Sequence, residues 1–460
     1  MLIAASALIA APASAQAITV SGTAAPTDTA AGAHSDFQIH IDFSGSGAAG
    51  QVKNLTVGLP PGMVGNPNAT PKCTPAQLHS DPPACPANSQ VGEVSAMVKI
   101  LGLLPLPPVP GKLYNLQPGP GEPARFGIVL SPPALPPIVL ESGVQLRSDF
   151  GLNTVINGIP NTTIADGDTT ITSQDITLYG SRPWMSAPFM RDPTSCGQKT
   201  TTFAATAWDD SADDATASFS VQNCGALDFS PSFSATVGGS GQTKSGIPTT
   251  VVTSIDQGAD EAGLVKAQVA VPPDFNPNAT LLGNSCPQAS FLAHACAPGA
   301  VVGSAVAASP LLTQPLTGPV LLVNAGGALP NVGLDLQGQL NLLLQGTLDA
   351  TKTTTFDGLP DIPISHFQLT FSASAGLLGN ARDLCVPPSP LFHAAFQGYN
   401  GASSAVDVPA TVVGCGASAK AKCKKAKKHR KKHHRAAESK KKHKHKKKCK
   451  RKKRKKHHRR

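Results

Sequence analysis

The chain reads as all-β: two tandem β-sandwich units of immunoglobulin-like type, followed by a disordered basic C-terminal tail. Three observations lead there. Among 460 residues, 43 are Gly and 42 are Pro while only 15% are charged, a composition that suits short strands joined by turns. Apolar residues hardly ever hold the i, i+3, i+4, i+7 spacing for more than two turns, whereas alternating runs such as DFQIHIDF (Asp36–Phe43) recur. One proline-and-cysteine segment also occurs twice. It runs LTVGLPPGMVGNPNATPKCTPAQLHSDPPACPANSQVG from Leu55 to Gly92 and AQVAVPPDFNPNATLLGNSCPQASFLAHACAPGAVVG from Ala267 to Gly303. Each copy is an apolar strand, a Pro-Pro break, NPNAT, two cysteines and Val-Gly, which marks a duplicated unit.

Residues 1–15, MLIAASALIAAPASA, form an apolar run ending in the small-x-small pattern Ala13-Ser14-Ala15, the pattern of a signal peptide, although no Lys or Arg precedes it. No other segment reaches the ~20 apolar residues of a membrane-spanning helix. Residues 16–227 form the first unit. Its predicted strands are Asp36–Phe43, Val52–Leu59, Val91–Ile100, Lys112–Leu116, Phe126–Leu130, Ile138–Leu146, Leu152–Ile156, Thr169–Leu178, Thr201–Ala207 and Ala217–Gln222. Pro60-Pro61 ends the second of these, because proline cannot donate to a ladder. Residues 228–417 repeat the order: Thr249–Ile255 and Val265–Val271 precede Pro272-Pro273, Gly318–Val323 matches Gly111–Leu116, and Val332–Leu336 matches Phe126–Leu130. Each unit could be one large sandwich or two smaller ones. Residues 418–460 are low-complexity Lys, Arg and His, too charged to collapse.

Four cysteines fall in each unit: Cys73, Cys85, Cys196 and Cys224, then Cys286, Cys296, Cys385 and Cys415. Four allow three pairings. The near pairs Cys73–Cys85, Cys196–Cys224, Cys286–Cys296 and Cys385–Cys415 are favoured because the spacing within each survives duplication. His79 and His294 lie near the first cysteine pair of each unit, which raises a metal site as an alternative. Structural zinc sites, however, use Cys-x(2–4)-Cys spacing, which the body lacks, and export favours disulfides. Cys423 and Cys449, in the tail, could bridge to each other or to another molecule.

Motifs for hydrolysis, phosphate binding or dinucleotide binding are missing from the sequence, so no catalytic residue, metal or cofactor is expected. His34, His40, His79, His294, His366 and His393 read as surface or satisfied core residues. The acidic clusters Asp166/Asp168, Asp209/Asp210/Asp213/Asp214 and Asp256/Asp260/Glu261 lack calcium-loop spacing and read as solvated turns.

Charge is sharply divided. Residues 420–460 hold 26 Lys and Arg against Glu438 alone, +25, which leaves −14 for residues 1–419 within the chain's net +11. Such a segment condenses on polyanions. The residues expected to do so include Lys424, Lys425, Lys427, Lys428, Lys446, Lys447, Lys448, Lys452, Lys453 and Arg454. Anionic cell-wall polymer is the first expected partner, and folding back onto the acidic body is the second. Nucleic acid is third and only nonspecific, because the tail has no aromatics to stack on bases.

The pattern LPPG…NP…C…ACP…VG, then PTSCG…NCGALDFSPSF, then SCP…ACAPGAVVG…PLTGPV and LPDIPISHFQLTF, spans most of residues 36–417. It resembles a group of secreted tandem β-repeat proteins from high-GC soil actinobacteria of the Thermoleophilia type, which often end in a Lys-rich tail. The resemblance implies export, tandem β domains and a place at the cell envelope. It carries over no catalytic or binding residue. The sequence therefore points first to a non-enzymatic exported surface protein. A secreted glycan-active hydrolase is the second reading. The third is a hydrophobic ligand carrier whose Pro-rich loops Ile100–Pro110 and Leu311–Leu316 cover an apolar pocket.

Overall fold

A computed structural model describes residues 17–416, apart from 101–103, 134, 165 and 166. The first unit contributes eleven main strands: β1 (Thr19–Pro26), β2 (Phe37–Ser44), β3 (Val52–Leu59), β4 (Gln90–Ile100), β5 (Val109–Leu116), β6 (Arg125–Leu130), β7 (Ile138–Leu146), β8 (Leu152–Ile156), β9 (Gly167–Leu178), β10 (Gly197–Ala207) and β11 (Ala212–Val221). The second contributes β12 (Ser232–Gly238), β13 (Val251–Asp256), β14 (Leu264–Ala270), β15 (Val301–Ala308), β16 (Leu316–Asn324), β17 (Asn331–Leu336), β18 (Leu342–Leu348), β19 (Thr353–Asp357), β20 (His366–Phe371), β21 (Leu391–Gly398), β22 (Ser403–Pro409) and β23 (Thr411–Val413).

Strand order in the first unit is β1-β2-β9-β4-β5-β6-β7-β8-β3-β10-β11, antiparallel throughout. Adding eleven to each number gives the order of the second, β12-β13-β20-β15-β16-β17-β18-β19-β14-β21-β22. The duplicated sequence segment thus belongs to a duplicated topology. In each unit the main strands form one continuous sheet around one main apolar core, beside a separate two-stranded ribbon, so a single bent sheet supplies both layers. In β2, FQIHIDFS, the residues Phe37, Ile39, Ile41 and Phe43 all point inward and are buried, as period-2 alternation requires.

The edges of the first sheet meet: Val20 N–H donates to Asp213 Oδ2 at 2.8 Å, and the rings of Phe37 and Phe219 lie 6.0 Å apart, edge to face. In the second unit β23 instead adds a parallel strand beside β12. Both arrangements cover the exposed ladder of an edge strand. The short strand β1, TVSGTAAP, escapes sequence reading because its Gly and Pro blur the alternation.

The cysteine segment covers the outer face of β5–β6, and of β16–β17 in the second unit. Thr74 caps the short helix α1 (Pro75–Leu78) through a reciprocal hydrogen-bond pair with Gln77, and α1 lays Leu78 against Cys73, Leu116 and Val129. In the second copy Asn278 caps α2 (Ala279–Leu282), and α3 (Gln288–Leu292) lays Phe291 against Cys286, Leu321 and Val323. Strands β6 and β17 are therefore buried on both faces and read as nearly unbroken apolar runs.

Candidate functional site

Four disulfides staple the body: Cys73–Cys85, Cys196–Cys224, Cys286–Cys296 and Cys385–Cys415, with Cα–Cα distances of 5.2, 5.7, 5.5 and 5.6 Å. These distances suit unforced bridges. The sulfurs that a metal would need are thereby used. Each body histidine faces a carboxylate. His79 Nε2 meets Glu141 at 2.8 Å and His294 Nδ1 meets Asp335 at 2.8 Å, so both tie a cysteine segment to the sheet beneath it. His366 pairs with Asp256, His393 with Asp407, His40 with Asp42 and Asp175, and His34 with Asp260. The hydrogen bond that His40 donates to the Asp175 carboxylate raises the His40 pKa.

The acidic turns are occupied by their own neighbours. Asp209 caps Ser211, Asp213 holds Val20, and Glu261 holds Ser230. The side chains of Asp166 and Asp168 lie outside the described residues, as does the tail with the ten residues expected to bind polyanions. Among the described residues no group of three His, Cys, Asp or Glu converges to hold a metal, and no helix is long and apolar enough to cross a membrane.

The space that stands out lies inside the second unit. Aligning Pro60-Pro61 with Pro272-Pro273 matches Leu55, Val57 and Leu59 to Ala267, Val269 and Val271. Opposite Val57 the first unit places Phe203, fully buried; opposite Val269 the second places Ala394. The first unit is further filled by Met63 and Met190, and a gap among Leu59, Phe126 and Phe189 measures about 30 Å³. The second unit holds an apolar cavity of about 120 Å³. Leu342, Leu344, Phe356, Phe367 and Phe371 line it and remain only half-buried, although they face inward. Val271, Thr354 and Phe371 separate it from a wider, open cleft of about 670 Å³ at one end of the sheet.

Of the two Pro-rich loops, Leu311–Leu316 meets its expectation: Leu312 and Leu316 line the interior cavity. Within Ile100–Pro110, Leu104 is exposed and Val109 joins the first unit's core, so the described part of that loop covers no pocket. The cavity itself escapes sequence reading, because its walls come from strands far apart in the chain that only the fold brings together.

Neither a family model nor a curated protein matches the chain. Among solved structures, a protein of Corynebacterium diphtheriae described as membrane anchored matches over 86% of this chain and 94% of its own, at 10% identity and a TM-score of 0.19. A partial N-terminal region of the enterococcal surface protein matches over 88% and 98%, at 8% identity and a TM-score of 0.17. The MSCRAMM ACE of Enterococcus faecalis, which binds its ligands by the collagen hug model, matches over 85% and 95%, at 7% identity and a TM-score of 0.19. Scores of this size do not establish a shared fold. What the geometry itself defines is a tandem, disulfide-stapled β protein with an apolar interior space in its second unit.

Proposed function

We propose that the chain is an exported, non-enzymatic protein of the cell envelope, held on anionic wall polymer by residues 420–460 and presenting its two β units outward. The observation that carries this reading is the charge division, +25 in 41 residues against −14 in the remainder. Each Lys or Arg near an anionic surface contributes about 1 kcal/mol, and the attraction fades with salt. A chain of that length spans up to roughly 135 Å, enough to hold the body clear of its anchor. Four body disulfides support an oxidising, exported setting. The resemblance to Thermoleophilia-type secreted repeat proteins, carried by motifs such as LPPG…NP…C…ACP…VG, agrees with it.

The test is a salt-titrated pull-down on purified cell walls with the full chain and with residues 420–460 deleted. Binding that needs the tail and fades with salt supports the anchor. Retention without the tail overturns it. A second reading, a carrier of apolar ligands, is favoured by the cavity of the second unit and is compatible with the first.

A further inference from the structure

We propose that the second unit binds a single hydrocarbon chain of an anionic amphiphile, with the chain in the apolar cleft and cavity and the acidic head at Lys352. This inference deepens the carrier reading and stands independently of the tail.

The space has the form of a chain-binding site. The outer cleft, about 670 Å³, falls in the range of small-molecule sites. The inner cavity, about 120 Å³, is of a size that takes a small apolar group when its walls are apolar. Together they offer a wide entrance and a narrow, greasy end. A protein helix, about 10 Å across with its side chains, does not enter the inner space, whereas a polymethylene chain does. The half-buried Leu344, Phe356 and Phe371 supply apolar surface that water wets in the empty protein. Covering it returns about 25 cal/mol per Å².

The head group is set by charge at the rim. Two charged residues line the cleft, Asp349 and Lys352. Asp349 holds its own turn through Oδ1, which accepts from Thr351 N–H, Thr351 hydroxyl and Thr353 N–H at 2.8, 2.6 and 2.9 Å. Lys352 Nζ donates only to the neutral carbonyls of Pro272 and Phe275, at 3.2 and 3.0 Å. Among the described residues no carboxylate pairs with it, so one N–H and a whole positive charge remain for a ligand. A carboxylate or a phosphate satisfies both. A free fatty acid and a lysophospholipid share that chemistry.

The experiment uses the full chain in 0.5 M NaCl, where screening to about 4 Å suppresses attraction to the tail. cis-Parinarate fluorescence is titrated, then displaced by palmitate, lysophosphatidylglycerol or hexadecanol. Saturation near one equivalent is expected. Ala328→Trp and Ala350→Trp, at exposed rim positions of the cleft, are each expected to weaken binding at least tenfold with unchanged melting. Lys352 has φ 63°, a conformation that Asn accepts. Lys352→Asn is expected to weaken parinarate about tenfold while leaving displacement by hexadecanol unchanged. Palmitate as the stronger competitor assigns a fatty acid, and lysophosphatidylglycerol a lysophospholipid. Unsaturable binding, or binding that all three variants leave intact, overturns the proposal.

Discussion

Thr194 of the first unit holds both oxygens of the Asp361 carboxylate of the second, its N–H donating to Oδ2 at 2.8 Å and its hydroxyl to Oδ1 at 2.5 Å. The same hydroxyl accepts from Gly263 N–H at 2.9 Å. The carboxylate fits only because Gly62 and Gly263 flank it; a Cβ at either would come within 2.6 or 2.3 Å of its oxygens. Asp361→Asn keeps the shape but turns one acceptor into a donor facing Thr194. A buried donor without its acceptor costs about 1–3 kcal/mol. The expected result is a lower urea midpoint and separate melting of the two units, followed by calorimetry. An unchanged single transition would show that the units are joined by other contacts.

Beside that clasp, Asp192 is fully buried and accepts one hydrogen bond, from the Ser35 hydroxyl at 3.2 Å, while its Oδ1 has no partner. Burial pushes its carboxyl up to about 7, against the Ser35 bond, and the nearby Asp28 charge adds to the rise. Between the ordinary Asp value near 4 and about 7 the folded protein keeps this proton and the unfolded chain does not. Stability from Asp192 is therefore present at low pH and lost as pH rises through that window, by on the order of 2–4 kcal/mol. Asp192→Asn should flatten the pH dependence of the denaturation midpoint between pH 4 and 7. A variant as pH-sensitive as the parent would place the titration elsewhere.

The two-fold repeat was legible in residues 55–92 and 267–303, and the disulfide partners in the spacing of near cysteines, which is similar in the two units. Most first-unit strands were legible too: inward Phe37, Ile39 and Ile41 alternate with polar residues. Number of sheets per unit was not, since it depends on whether β1 and β11 meet across the core. Nor was the clasp, whose partners Thr194 and Asp361 stand 167 residues apart and owe their fit to two glycines. The apolar space was foreshadowed by Leu311–Leu316 but not located, because its other walls, from Phe233 to Phe392, are brought together only by the fold.

Phe291 lies over Gly333 much as Leu78 lies over Gly127, and a Cβ at either glycine would come within 2.8 Å of the side chain above it. The disulfide Cys286–Cys296 closes the segment that carries Phe291. Gly333→Val should lift the segment off β17 and cost about 1–3 kcal/mol by overpacking. Replacing both cysteines by serine removes a constraint on the unfolded chain and should cost about 2–4 kcal/mol. Combined, the changes act on one element and should fall short of additive. Full additivity in urea denaturation would mean that the bridge does not position Phe291.

Phe203 and Phe356 test whether the second unit is built around open space. Phe203 is fully buried in β10, packed against Gly22 of β1, and Phe203→Ala should cost about 3–5 kcal/mol as a large ring leaves a closed core. Phe356 is half-buried on β19 and already borders the cavity. It has fewer contacts to lose, so Phe356→Ala should cost about 2 kcal/mol less than Phe203→Ala, each read from the transition its own unit shows. Parinarate added at saturation should raise the melting of the parent's second unit and raise that of Phe356→Ala by less, since ligand stabilisation follows affinity. Equal costs for the two alanines, with no shift on adding parinarate, would mean that the second interior is as closed as the first.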